Sequence, residues 1–295
     1  MDINKLIAQI VSLINSLIGT PKFSKFATKP GEILGYGVDQ SWMYLDADKL
    51  GNALVKAGVN TTSIGLFSCN ETSNPIQPPQ GPWGYWMDHF NELKPTLTKF
   101  LDAMKKRKIT VYVTLTGWNQ LNGNFDPQTG KGATICCNRY NVTWFTDIVD
   151  YFVKRGTDGI IICTAGEPVP NYGPGGPCID KFSIFTNVLN SKWSGLKGWN
   201  YGVRPNTAPV GYYIETHPQK SSEKSPAGCI VLTDGPAASE FGNHDLNCFI
   251  DNGPALQAYI KRIHSEGSGF IWWGMSFNGK NVDYNGIKIV GNALK

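Results

Sequence analysis

Charge is scarce in this chain of 295 residues: 17% of them are charged and the formal net charge is only +4. A chain this poor in charge and rich in apolar residues is outside the disordered class, and its weak, dispersed positive balance argues against a nucleic-acid partner. Only four histidines occur, with no His-Glu-x-x-His, and the seven cysteines include no Cys-x-x-Cys pair, so zinc chemistry is not expected and no metal is assigned. No cofactor is expected either. The first strand-like segment is not followed by a phosphate-binding glycine fingerprint, and the Gly173 to Gly176 cluster has no Lys-Ser/Thr partner and reads as a flexible loop. No Gly-x-Ser-x-Gly elbow is present, which argues against an esterase. No run approaches the roughly 20 apolar residues of a membrane span. The first 19 residues do not read as a signal peptide, because Asp2 occupies the region that should be positive and Gln9, Ser12, Asn15 and Ser16 break the apolar stretch.

What the chain has in quantity is apolar and aromatic surface. Hydrophobic residues make up 41% and aromatics 12%, including nine Trp and twelve Tyr, enough for one large core and for flat surfaces that stack on a ligand. Seven cysteines is an odd number, so at least one thiol stays unpaired in a monomer. Cys163 and Cys229 fall in apolar runs and read as small buried hydrophobes, while the other five lie in loops with no assignable pairing. Asn60, Asn70 and Asn141 open Asn-x-Ser/Thr triplets, which are acceptors only in a eukaryotic secretory route.

Ile3, Ile7, Ile10, Ile14 and Leu17 recur at alternating four- and three-residue steps, which predicts an amphipathic helix. Two readings fit it: a docking helix that joins subunits in a homo-oligomer or anchors the chain to a larger assembly, and a helix laid across the base of the main domain. With Pro21 and Pro30 in the stretch that follows, residues 1–31 form a helical extension and linker, and residues 32–295 the main domain.

From there strand-like and helix-like segments alternate. Strands are expected at Ile33 to Val38, Thr62 to Phe67, Ile109 to Leu115, from Gly159 to an end at Glu167, Val210 to Ile214, Ile230 to Thr233 and Phe270 to Trp273, with a weaker one near Trp199 to Arg204. Helices are expected at Asp46 to Ala57, Asp88 to Arg107, Val142 to Lys154, Ile179 to Leu189 and Pro254 to His264. The length suits about 250 residues of repeated βα units, so the fold class is α/β, a (β/α)8 TIM barrel with an N-terminal helical extension.

In such a barrel the chemistry gathers at the C-terminal ends of the strands. Four apolar side chains at Ile160 to Cys163 suit a strand buried on both faces, and Thr164-Ala165-Gly166-Glu167-Pro168 then delivers a carboxylate beyond it. Glu167 is a candidate acid/base; the competing reading is a carboxylate that caps the next segment or pairs with a Lys. Asp234 follows the seventh strand directly, and Glu215 lies beside Tyr213 and His217 at the sixth. Asp39 and Trp42 follow the first strand, Trp118 and Asn119 the third, and Trp273 closes the last. Aromatic faces at strand ends suit the apolar face of a pyranose, with polar edges for its hydroxyls.

The Gly166-Glu167-Pro168 segment, Ser239-Glu240-Phe241-Gly242 past the seventh strand and Phe270-Ile271-Trp272-Trp273-Gly274 resemble the motifs of clan A glycoside hydrolases, the cellulase and mannanase type of barrel. The resemblance implies that Glu167 is the acid/base, Glu240 the nucleophile and Trp273 the floor of the sugar site. Two departures stand out: Gly166 replaces the Asn that binds the sugar 2-hydroxyl in that family, and Glu240 lies well past the apolar run ending at Thr233. Asp234 and Glu215 therefore stay open as the partner of Glu167. The function implied is two-carboxylate hydrolysis of a polysaccharide or oligosaccharide, with retention of configuration. The alternative is a barrel that binds glycan without cutting it, in a virion or cell-surface assembly. Either way the partner is a carbohydrate polymer and the location extracellular or on a virion surface.

Overall fold

The computed structural model describes residues 27, 29–38, 40–67, 90–116, 142–155, 159–163, 191–192, 196–200, 212–216, 221–222, 224, 228–233, 240–242, 249–274 and 282–295. Eight strands run through it: β1 (Leu34–Gly37), β2 (Thr61–Phe67), β3 (Thr110–Thr116), β4 (Gly159–Cys163), β5 (Leu196–Asn200), β6 (Tyr212–Thr216), β7 (Ile230–Thr233) and β8 (Gly269–Trp273). Each pairs in parallel with the next, and β8 returns to β1 through Leu34↔Phe270 to Gly37↔Trp273, so the sheet closes on itself. The weak fifth strand lies at 196–200, slightly before the expected segment, and pairs along its whole length with β4. Lys197 and Gly198 interrupt its apolar character, which is why its pattern is faint.

Around the ring stand α1 (Ala47–Ala57), α2 (Phe90–Lys106), α3 (Val142–Arg155), α4 (Gly253–Ser265) and α5 (Tyr284–Asn292). Local chemistry sets their ends. The Asp46 carboxylate accepts from Lys49 N at 3.0 Å to start α1. Gly58, at φ 89°, ends it with its N–H on the Leu54 and Val55 carbonyls, a left-handed cap that favours glycine. On α1, Leu50, Leu54 and Ala57 form the buried stripe, and on α4 Leu256, Tyr259, Ile260 and Ile263 do the same. Helix α5 lies beyond the elements expected from the sequence; Asp283 caps it, accepting from Gly286 N at 2.7 Å, and also accepts from Ile250 N at 3.1 Å. Gly291 lets α5 seat on α1, since a Cβ there would come within 2.7 Å of the Ala57 carbonyl carbon.

Two cores follow from strand alternation. Leu34, Tyr36, Val113, Val231, Phe270 and Trp272 pack outward under the helices, whereas Tyr112, Ile230, Leu232 and Ile271 fill the interior of the ring. Ala27 and Ile33 join that interior cluster from the strand N-terminal side. The base is tied by a short strap: Ala27 N donates to the Thr110 hydroxyl at 3.0 Å, and buried Asn60 accepts from Leu34 N at 2.9 Å and donates to the Glu32 carbonyl at 2.6 Å. Asn60 is 3% exposed, so its amide belongs to the fold rather than to a glycan. Asn70 and Asn141 lie outside the described residues, as do residues 1–26 with the N-terminal stripe and the helix expected at 179–189. Cys229 is buried and its thiol donates to the Ser268 hydroxyl at 3.7 Å, in keeping with its apolar run.

His264, on the last turn of α4, faces the carbonyls of Gly31 and Ile33 in the strap. Burial holds it below the ordinary histidine range, although those carbonyls favour its proton. Its Nε2 is buried without a hydrogen-bond partner, so a proton placed there would find no acceptor.

Candidate functional site

The strap lies at the N-terminal ends of the strands, opposite the C-terminal ends where parallel barrels carry their chemistry. Trp273 is the last residue of β8, pairs with Gly37, packs on the interior cluster and stays partly exposed. Its backbone is held by Gly274, whose N–H bonds the Gly37 carbonyl at 3.0 Å. A Cβ on Gly274 would lie 2.6 Å from that carbonyl oxygen and 2.6 Å from the Tyr36 ring, so only glycine admits the approach. An indole fixed at the seam of the first and last strands, packed on the core and still partly exposed, is a platform for an apolar ligand face.

The carboxylates reach different places. Glu167 follows the end of β4 by four residues and Asp234 follows β7 directly; both lie outside the described residues, as do Asp39, Trp118, Asn119 and His217. Tyr213 and Glu215 are in β6, where Tyr213 pairs with Trp199 and Glu215 with Val231. Val231 belongs to the helix-facing layer, while the next pair, Thr216↔Leu232, includes a residue of the interior.

Glu240 sits on the flank. Its carboxylate accepts from the Ser221 backbone N–H at 3.2 Å and from the Ser221 hydroxyl, and the Ser221 carbonyl accepts from Arg262 on α4. Its neighbour Phe241 is 2% exposed and stacks on Tyr259 of α4 with ring centroids 5.3 Å apart. Gly242 approaches the outward ring of Trp272, a Cβ there lying 3.2 Å from it. The segment that the resemblance reads as a nucleophile loop is thus pinned to the helix layer, and the structure joins Glu240 to Ser221 and Arg262. No sequence spacing announces that trio, since Ser221 is 19 residues from Glu240 and 41 from Arg262.

Trp42 likewise differs from a rim aromatic. It is 1% exposed, its indole N–H donates to the Gly65 carbonyl at 3.2 Å, and its ring meets Phe100 edge-on. Its place is between the sheet and α2, where a sugar ring has no access to its faces. Among the described residues no group of His, Cys, Asp and Glu is arranged to hold a metal ion. No helix among them is long and apolar enough to cross a membrane.

No protein-family model matches the sequence, and no curated protein does. Solved structures do match in shape. A GH113 β-1,4-mannanase superposes with a TM-score of 0.53 at 11% identity over 90% of this chain and 99% of its own. The exo-β-1,4-mannosidase Op5Man5 from Opitutaceae bacterium strain TAV5 gives 0.53 at 10% identity, covering 94% of this chain and 62% of the mannosidase. An α-L-fucosidase GH29 from Bacteroides thetaiotaomicron gives 0.51 at 10% identity, covering 85% and 59%. The chain thus spans nearly all of the mannanase and about three-fifths of the other two. At this identity the likeness is one of fold: an α/β structure with a parallel sheet, of the kind these glycoside hydrolases share.

Proposed function

We propose that this chain is a glycoside hydrolase that cleaves a carbohydrate polymer with two carboxylates at the strand ends. The observation that carries the reading is Trp273, partly exposed at the end of β8 and locked there by Gly274 against β1. The likeness in fold to a β-1,4-mannanase and a β-1,4-mannosidase adds support and makes β-1,4-linked mannans the first substrates to try.

In this reading Glu167, four residues past β4, is the general acid/base. Asp234 is the partner carboxylate. The carboxylate of Glu240 is already held by Ser221, whereas Asp234 directly follows β7. Asp234 attacks the anomeric carbon while Glu167 protonates the leaving oxygen, a route that requires the two carboxyl groups to stand about 5–5.5 Å apart. Water, deprotonated by Glu167, then releases the sugar with net retention. Asp39, Trp118, Asn119, Tyr213 and His217 are proposed to contact the sugar units. The strap puts the start of the domain at the closed base. The stripe from Ile3 to Leu17 is proposed to join subunits or an assembly, with action outside the cell or on a virion surface. A reducing-sugar screen over mannans, β-glucans, chitin and bacterial capsules tests the function. Binding without release from any of them would replace it with the non-catalytic glycan-binding barrel.

A further inference from the structure

The strap at the foot of the barrel, residues 27 and 29–33, lies outside every strand and is held by few ties. Ala27 N donates to the Thr110 hydroxyl at 3.0 Å, and the Asn60 amide donates to the Glu32 carbonyl at 2.6 Å. Pro30–Glu32 is a single 3-10 turn, closed by the Ile33 N–H on the Pro30 carbonyl at 2.9 Å. It seats on the turn between α4 and β8, where a Cβ on Gly31 would lie 3.1 Å from the Gly267 carbonyl oxygen. A segment fastened by a few side chains and one short turn opens locally while the rest of the domain stays folded.

His264 stands at this seam, facing the Gly31 and Ile33 carbonyls, and its Nε2 is buried without a hydrogen-bond partner. A neutral imidazole fits the place, with one N–H for the carbonyls and a bare lone pair on Nε2. An imidazolium does not, because it adds a second N–H on Nε2 where no acceptor stands. With the strap lifted, water serves both nitrogens. The titratable groups on the elements that meet here are Lys29 and Glu32 of the strap, Cys229 at the start of β7, and Lys261, Arg262 and Glu266 of α4; β8 carries none. Arg262 is paired with Glu266 at 3.3 Å and the Cys229 thiol with the Ser268 hydroxyl. Burial first and the two carbonyls second act on the His264 ring, and none of these charges is among the causes.

We propose that the strap is a proton-released latch: protonation of His264 detaches residues 27–32 from the foot of the barrel while the strands stay paired. The seated strap holds His264 below 6.5 through burial, and the lifted strap returns it toward 6.5. The opening constant is therefore flat above that pH and rises by up to about tenfold per pH unit below it, until the value of the seated form is passed. Opening takes Ala27, 4% exposed, out of the interior cluster. It also lengthens the stretch that joins residues 1–26 to the barrel by about six residues, roughly 20 Å when extended. The stripe from Ile3 to Leu17 thus gains reach in acid, whatever the barrel acts on.

Hydrogen exchange of the full-length protein, corrected for the intrinsic rate at each pH, reads the opening constant in a peptide covering residues 27–33, with α1 as the reference. From about pH 7.5 to about pH 5 the strap is expected to open at least about threefold more, and α1 to change less than about twofold. His264→Gln, which keeps an N–H for the carbonyls and does not titrate, is expected to hold strap opening within about twofold across the same range. Should that variant fail to fold, proton NMR of the His264 ring in the parent protein decides, and the ring is expected to titrate below 6.5. Strap opening indifferent to pH, a rise shared equally by α1, a rise kept in His264→Gln, or a ring that titrates at or above 6.5 overturns the inference.

Discussion

Ser221 gives both its backbone N–H and its hydroxyl to the carboxylate of Glu240, and its own carbonyl is held by Arg262 of α4. A carboxylate so engaged on the outside of the ring is a fastening between the segments after β6 and β7. Glu240→Ala is therefore expected to keep turnover within about threefold, with a small loss of stability, as for most substitutions of exposed groups. Asp234→Ala is expected to lose several orders of magnitude and to regain part with azide, giving a glycosyl azide of inverted configuration. Kinetics on an aryl glycoside with and without azide, with product NMR, separate the two. Azide rescue of Glu240→Ala alone would return the nucleophile to Glu240.

Asn60 tests the base of the barrel. Its side chain bonds Leu34 N, the Glu32 carbonyl and the Thr61 hydroxyl, and it is 3% exposed. Asn60→Ala removes the side-chain partner of the buried Leu34 N–H and of the part-buried Glu32 carbonyl and is expected to cost about 1–3 kcal/mol, read from chemical denaturation. A loss below about 0.5 kcal/mol would show that water replaces the amide there.

The parts of this fold legible in the sequence are those whose signal is local. The apolar runs of β7 and β8 and the stripe Leu50, Leu54, Ala57 under Asp46 give element type and place within a residue or two. Strand β5, broken by Lys197 and Gly198, is specified by pairing with β4 rather than by its own pattern, and its position shifts accordingly. Helix α5 was missed because its stripe is short and its start depends on Asp283 serving Gly286 and Ile250 at once.

The candidate site was legible only where strand position decides it. Trp273 follows from the end of β8. Glu240 and Trp42 do not follow from their neighbours in sequence, because Phe241 on Tyr259 and the Trp42 indole on Gly65 are tertiary choices that turn each segment into the helix layer. A short Glu-Phe-Gly motif carries no information about which side of the sheet its loop descends.

His264 makes stability depend on pH with a definite sign. Burial lowers its folded pKa below the 6.5 of a free histidine. The unfolded chain therefore takes up a proton first as pH falls. The contribution of neutral His264 is complete above pH 6.5 and is lost as pH drops through the folded value. His264→Gln, which keeps an N–H for the strap carbonyls and cannot titrate, is expected to flatten the fall in unfolding free energy below pH 6.5. An unchanged slope would place the acid sensitivity in the carboxylates.

The N-terminal stripe makes a hydrodynamic prediction. If Ile7, Ile10, Ile14 and Leu17 form a subunit seam, deleting residues 1–20 turns an oligomer into a monomer without lowering the melting temperature of the barrel. Light scattering on both forms checks it. A full-length protein that is already monomeric contradicts the seam.

Hydrolysis by the parent protein beside its Glu167→Gln variant, on a soluble β-1,4-mannan and, if that is inert, on the most active polymer of the screen, is the most direct test. The amide keeps the shape of the side chain and cannot deliver a proton. The account predicts steady release of reducing ends by the parent, loss of at least about 10³-fold in the variant, and undiminished binding of the polymer by both. Parent and variant hydrolysing at rates within a few-fold of each other, or a parent that releases nothing from any polymer it binds, would contradict it.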